Sequence, residues 1–264
     1  MEDTYQISAD THVLPASIPV PGAGALPVNA YLIKGREPVL IDTQMPMERE
    51  AFLNALASLI DPRDLHWIIL THDDRDHTGN LMQVLQAAPQ ARLVVNFVGV
   101  GRMSEEWHLP MERVLLVNPG QRVDVGDREL GLVRPPLFDS PATFGVYDAK
   151  TSTLFSSDSF GAFIPAPTPL AQDVPEQALM EGLNVFNRAN HPWVSLVDER
   201  KFATVLNEMA RLEPRTIASS HGPAATGMTE AYLRQMAALP AMEPWVAPDQ
   251  AAMEAAMAAM TEAA

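Results

Sequence analysis

The run Trp67-Ile68-Ile69-Leu70 is apolar throughout and short enough to be a strand buried on both faces. One residue later come His72, Asp73, Asp74, Arg75, Asp76 and His77, six ionisable side chains in succession. Taking an unpaired charge out of water costs several kcal/mol. The chain must therefore fold so that this loop, at the end of a buried strand, either reaches solvent or surrounds something positive.

Residue spacing favours the second solution. Side chains two apart on an extended segment project the same way, so His72 and Asp74 converge on one point. Asp76 and His77 open the next helix and can face a second point. Imidazole and carboxylate together make half of a dinuclear metal site. An exposed charged loop is the simpler alternative, but it would rarely carry two histidines at this spacing with Thr78-Gly79 behind them. The remaining ligands must come from other strand ends. Asp158, in Leu154-Phe-Ser-Ser-Asp-Ser-Phe-Gly161, stands just past an apolar run and is placed to bridge two ions. His221, in Ser219-Ser-His-Gly-Pro223, stands in the same situation. Alone, Asp158 would read as a turn or helix cap and His221 as a core histidine; beside the cluster both become candidate ligands. Asp42, at another strand end, is expected to hydrogen-bond a ligand or the loop backbone. His191, in Ala189-Asn-His-Pro-Trp-Val194, is a reserve ligand or pocket residue. Tyr31 and Trp193 read as core or pocket wall, and His66 and His108 as surface or structural residues.

Periodicity around these positions describes an α/β chain. Strands are expected at Asn29–Lys34, Pro38–Asp42, Trp67–Leu70 and Arg92–Asn96, with helices over Glu48–Ile60 and through Leu81, Val84 and Leu85. Residues 114–157 read as five further strands with turns such as Val125-Gly-Asp127. Helices over Asp173–Ala189 and Glu199–Leu212 and a strand at Thr216–Ser219 follow. No internal repeat is visible, but strand-rich and helix-rich stretches alternate once in each half, as in two stacked sheets with helices outside. The expected organisation is one domain over residues 1–240 and an Ala/Met-rich tail or helix over 241–264.

Composition narrows the function. A formal charge of -15 argues against nucleic acid or an anionic membrane as partner. The absence of cysteine excludes disulfides, thiol nucleophiles, zinc–thiolate sites and iron–sulfur clusters. No apolar run approaches the ~20 residues of a membrane span, and the acidic start MEDTYQISAD reads as no secretory signal, so a cytoplasmic location is the default expectation.

The segments Asn29-Ala-Tyr-Leu-Ile33, Val39-Leu-Ile-Asp-Thr43, Thr71-His-Asp-Asp-Arg-Asp-His-Thr-Gly79, Leu154–Gly161 and Ser220-His-Gly-Pro223 together resemble the metallo-β-lactamase superfamily, and within it the oxygen-binding di-iron domain of flavodiiron proteins. The resemblance spans residues 8–225. It implies a four-layer αββα sandwich and two metal ions held by His72, Asp74, Asp76, His77, Asp158 and His221, with Asp76 and His77 at the reacting side. Hydrolytic relatives usually carry histidine where this chain has Asp74, and the di-iron branch carries a carboxylate there. That favours iron, with manganese or zinc as alternatives.

Two departures follow. The family supplies another histidine from the loop before the Asp158 strand; here that position falls on Phe138, with Asp139 beside it. Either Asp139 swings in as a substitute, or Phe138 fills the space and one ion keeps an open position. Flavodiiron proteins also carry a flavodoxin domain, and nothing past His221 has the pattern to bind a flavin. The resemblance thus implies binding O2 or a related small molecule and reducing it or using it to oxidise a substrate, with electrons from an external reductase or from the substrate itself; a homodimer is an assembly to test for. A dinuclear zinc hydrolase of an ester, lactone or phosphodiester is the second reading, and a gas sensor without turnover the third.

Overall fold

The computed structural model describes residues 1–262. Two sheets face each other. The first contains, in spatial order, β1 (Tyr5–Gln6), β2 (Thr11–Val20), β3 (Gly24–Ile33), β4 (Val39–Ile41), β5 (Trp67–Ile69), β6 (Arg92–Val95) and β7 (Val114–Leu116). The second runs β13 (Ala225–Thr226), β12 (Thr216–Ala218), β11 (Thr153–Phe155), β10 (Gly145–Asp148), β9 (Glu129–Val133) and β8 (Arg122–Asp124). Helices α1 (Arg49–Leu59), α2 (Arg75–Thr78), α3 (Leu81–Ala87) and α4 (Phe97–Met103) belong to the first half. Helices α5 (Glu176–Asn190), α6 (Glu199–Arg211) and α7 (Thr229–Ala238) belong to the second, and α8 (Gln250–Glu262) ends the described chain.

The four layers follow from alternation along the short central strands. Val39, Ile41, Trp67, Ile69 and Val94 point inward to meet Val123, Leu130, Leu132, Val146 and Phe155 of the other sheet. Leu40, Ile68, Leu93 and Val95 point outward and are covered by Phe52, Leu56, Leu81, Val84 and Val100 from α1, α3 and α4. Leu154 and Ile217 do the same beneath Leu179, Leu183, Phe202, Leu206, Tyr232 and Met236 of α5, α6 and α7. Strands covered on both faces need no polar alternation, which is why Trp67–Leu70 is apolar throughout. This is the αββα sandwich that the resemblance implies.

Strand direction positions the site. β4, β5, β6 and β7 are parallel neighbours, and so are β11 and β12 in the opposite sheet. Residues following β4, β5, β11 and β12 therefore emerge at carboxyl ends, where open α/β sheets present their ligand-binding loops. The Asn29 N–H donates to the Ser220 carbonyl at 2.8 Å and brings the two sets of loops together across the sheets.

The structure departs from the sequence reading in three places. Only the second half of β3 is legible in Asn29–Lys34. Its long partner β2 contains Pro15 and Pro19, which argue against a strand. Beyond the short β1 pairing at His12 and Val13, however, β2 is an edge, so these prolines forfeit no ladder bond. Helix α5 starts at Glu176 rather than Asp173, because Pro175 takes the N-cap and a 3-10 turn occupies Ala171–Asp173. Helix α7 buries only Tyr232 and Met236, too sparse a stripe to read. No helix among the described residues is long and apolar enough to cross a membrane.

Phe155 is 1% exposed and lies between the sheets, 5.1 Å from the Tyr31 ring. Phe155→Ala should lower the unfolding free energy by ~3–5 kcal/mol, read from the urea midpoint. A change below ~1 kcal/mol would mean that this core does not join the layers.

Candidate metal centre

The loop after β5, the residue after β4 and the loops after β11 and β12 close on one point. Asp158 Oδ1 lies 3.1 Å from His77 Nε2, 3.4 Å from His221 Nε2 and 3.8 Å from His72 Nε2. Asp76 Oδ2 lies 3.3 Å from His221 Nε2 and 3.7 Å from His77 Nε2. Asp74 Oδ2 and Asp139 Oδ2 lie 3.8 Å and 4.0 Å from His72 Nε2. Three overlapping donor sets result: Asp76, His77 and His221; His72, Asp74 and Asp139; and His72, His77 and Asp158 between them.

These groups turn their free donor atoms toward one another. The His77 Nδ1–H donates to Asp42 Oδ2 at 2.8 Å, and the His221 Nδ1–H donates to the Pro27 carbonyl at 2.9 Å. Each bond fixes its ring so that Nε2 faces the cluster. His72 Nδ1 has Ser157 Oγ at 3.1 Å and Thr71 Oγ1 at 3.3 Å. His72 Nε2, His77 Nε2 and Asp158 Oδ1 are buried with no hydrogen-bond partner. Buried groups are satisfied in the large majority of cases, and donors sharing one ion at ~2.1 Å lie roughly 3–3.5 Å apart. Separations at His77 and His221, 3.1 to 3.7 Å, fall at or near this span, and those at His72, 3.8 to 4.0 Å, are wider; the donor set fits metal ions through its chemistry and its orphaned buried atoms.

The backbone is held in shape around these donors. Asp42 and Ser157 adopt φ of 60° and 55°, left-handed values that a side chain normally avoids. Asp42 is over-determined: Oδ1 accepts from the Thr71 N–H at 2.8 Å and Oδ2 from Thr71 Oγ1 at 2.9 Å, besides His77. The Ser157 carbonyl accepts the Ser220 N–H at 2.9 Å, so the two ligand loops of the second sheet fix each other.

Electrostatics report the same convergence. Burial pushes the His221 imidazole down, but the Asp158 and Asp76 carboxylates reverse this and carry it from 6.5 up to about 10. His77 is likewise buried, and Asp76, Asp42 and Asp158 raise it well above its ordinary value. Burial works to raise Asp158 and Asp76; the facing histidines outweigh it and hold both below the usual carboxylate range. Asp74 moves up, through burial opposed by His72.

All seven residues proposed as ligands from the sequence are brought together, and Asp42 stands behind His77. Asp139 is turned toward His72, while Phe138 packs against Trp193 with ring centroids 5.5 Å apart. His191 is fully buried; its Nδ1–H donates to the Asn187 carbonyl at 3.1 Å and its Nε2 is unpartnered. His66 and His108 are exposed. Several contributors escape sequence reasoning. Asn190 Nδ2 donates to Asp158 Oδ2 at 3.0 Å, leaving Oδ1 for the histidines. Asn29 Nδ2 donates to the Ser219 and Gly222 carbonyls, and Tyr31 Oη donates to Ser219 at 2.6 Å, so together they hold the His221 loop. Polar residues inside the strand Asn29-Ala-Tyr were the available signal.

Residues 26–222 match the family model described as ODP family beta lactamase. The chain belongs to this ODP beta-lactamase family. Among curated ODP relatives, the anaerobic nitric oxide reductase flavorubredoxin of Salmonella typhi is 31% identical over 134 residues, covering 50% of this chain and 28% of that protein. This chain spans 23% to 48% of the length of the curated relatives it matches first. Two solved structures share the fold with a TM-score of 0.80. Rubredoxin oxygen:oxidoreductase from Desulfovibrio gigas is 20% identical, over 92% of this chain and 63% of that one. The flavodiiron protein from Giardia intestinalis is 16% identical, over 91% of this chain and 60% of that one.

The raised histidines give a signed pH dependence. A group whose folded pKa is raised from 6.5 to about 10 stabilises fully below 6.5, and that contribution is lost as pH climbs through 10. The depressed carboxylates stabilise above their ordinary 3.8 and lose that contribution in acid. Chelator-treated protein should therefore melt highest between roughly pH 4 and 6.5 and lose stability toward pH 10. Metal-loaded protein, in which the protons are displaced, should lack the alkaline loss. A flat melting profile from pH 6.5 to 10 after chelation would count against this electrostatic picture.

Proposed function

We propose that the chain is a di-iron oxidoreductase domain that binds and reduces O2 or a related small molecule with electrons from a separate donor. The observation that carries this is the donor set: four carboxylates, Asp74, Asp76, Asp139 and Asp158, against three imidazoles, around one buried oxygen of Asp158. Hard oxygen donors added to imidazole favour iron or manganese over a purely nitrogen-ligated zinc site. Relatives and fold neighbours whose names specify nitric oxide reduction, oxygen reduction and a di-iron centre support the same reading.

On this reading Asp76, His77 and His221 would hold one ion, and His72, Asp74 and Asp139 the other, with Asp158 between the two sets. Iron bound there would supply reversible one-electron chemistry and an open position for a small ligand. The protein's own groups prepare the site. Asp42 fixes the His77 tautomer and raises the basicity of its Nε2. Asn190 engages one oxygen of Asp158 and thereby aims the other. Phe138 and Trp193 pack against each other beside Asp139, with the Arg134 guanidinium over the Phe138 ring. Electrons arrive from outside the site, since no side chain here is a redox carrier.

A hydrolase is the second reading, favoured by Asp76, whose Oδ2 near His221 and His77 could orient a water. Metal analysis of protein purified with and without air separates the two, combined with O2 or NO consumption under a chemical reductant and with ester and phosphodiester assays. Iron with reductant-dependent gas consumption supports the first reading; zinc with ester or phosphodiester turnover overturns it.

Asp158→Ala should empty both positions, whereas His77→Ala should cost at most one ion per chain. Retention of two ions by both variants, measured by elemental analysis, would remove Asp158 from its bridging role.

A further inference from the structure

The Asp139 side chain comes from a loop with no regular structure, one residue away from the position where the family's histidine is expected. Something must bend that loop toward His72. One restraint is Thr143 Oγ1, which donates to Asp139 Oδ1 at 3.4 Å; another is a three-way clamp outside the metal donors. Arg102 Nε lies 2.8 Å from Asp73 Oδ2, and its Nη1 donates to Ser140 Oγ at 3.0 Å. Ser140 Oγ in turn lies 3.3 Å from Asp73 Oδ1. Arg102 Nη2 stands 3.9 Å from Asp74 Oδ1, the oxygen of Asp74 that does not face His72.

Each member is placed by the fold. Asp73 sits between the two residues that converge on the first ion and projects to the other side of the extended segment; its side chain is only 5% exposed. Arg102 lies one turn after Gly99 on α4, on the same helix face. A Cβ at Gly99 would meet Val95 at 3.2 Å, and Ala142 and Asp73 at the ordinary contact distances of 3.6 and 3.9 Å, so this turn of α4 packs directly against both loops. Ser140 is buried, and its hydroxyl also accepts the Ala142 N–H at 3.2 Å, closing the turn that follows Asp139. A planar guanidinium with several donors in fixed directions can span two loops at once, which a lysine cannot.

We propose that Arg102 is a positioning residue: through Asp73 and Ser140 it locks the 138–143 loop onto the ligand loop and so delivers Asp139 to the metal position beside His72. It thereby compensates for the histidine this chain lacks. The inference rests on the two-ion reading above and deepens it. It makes the His72 position depend on a residue that touches no metal, and leaves the position held by Asp76, His77 and His221 independent of it.

A double-mutant cycle tests this on metal-free full-length protein titrated anaerobically with manganese(II), following both ions by calorimetry and electron paramagnetic resonance. Arg102→Met should weaken the ion beside His72 ~10- to 100-fold, the range found when groups supporting a metal ligand are removed, and leave the ion held by Asp76, His77 and His221 unchanged. Asp139→Ala should weaken the same ion, and the double variant no more than Asp139→Ala alone, because the two act in series. Arg102→Lys should not rescue. Should Arg102→Met fail to fold because Asp73 is left unpaired, Asp73→Asn/Arg102→Gln removes the clamp without a buried charge and carries the same expectation. Losses that multiply in the double variant, equal weakening of both ions, or no weakening overturns the clamp while leaving the two-ion site standing. Uptake of fewer than two ions by the unaltered chain overturns the two-ion reading itself.

Discussion

A carboxylate almost out of water, facing three imidazoles, is the constraint on which the remainder of this molecule depends. The Asp158 side chain is 5% exposed and the His72 and His77 side chains 1%. Bringing these groups together without a cation costs desolvation on every side. The fold withstands it because the backbone beneath is cross-braced: Asp42 to Thr71 and His77, Ser157 to Ser220, Asn29 and Tyr31 to the Ser219 loop. These bonds join β3, β4 and β5 of one sheet to β11 and β12 of the other at a single edge. The layers are assembled by apolar burial, but their relative register at this edge is set by polar bonds with direction.

What was legible in the sequence is what alternation and strand-end chemistry encode. The apolar β5, the cluster that follows it, Asp158 and His221 could all be located, because each is a charged or imidazole side chain directly after an apolar run. β2 was illegible because its prolines contradict a strand unless the edge is known, and edge status is a tertiary fact. Asn190 and Arg102 were illegible for a related reason. An asparagine at a helix end and an arginine on a short amphipathic helix are ordinary surface residues until the partner loop is placed beside them. The inward turn of Asp139 likewise could not be chosen over a Phe138 filling, since the choice depends on Ser140 meeting Asp73, which lies 67 positions away in the chain.

The two ends of the site are built differently, and this asymmetry bears on chemistry. His77 and His221 are each fixed through Nδ1 to a carboxylate or carbonyl from β3 or the end of β4, so both imidazoles of that end are held to the depth of the sheet, beside one partly exposed carboxylate, Asp76. The other end has one such imidazole, His72, whose Nδ1 meets only hydroxyls, together with two carboxylates on loops, Asp74 at 43% and Asp139 at 22% side-chain exposure. A carboxylate on a solvated loop can shift between one-oxygen and two-oxygen contact more cheaply than a buried imidazole can move. An ion at that end would therefore tolerate a change of coordination as a ligand arrives or charge is gained, while its neighbour holds still. Loss of the family's histidine thus need not abolish the site. On the two-ion reading an adjustable oxygen donor would stand in for a fixed nitrogen donor, and the task of precision would pass from the donor itself to the side chains that hold its loop.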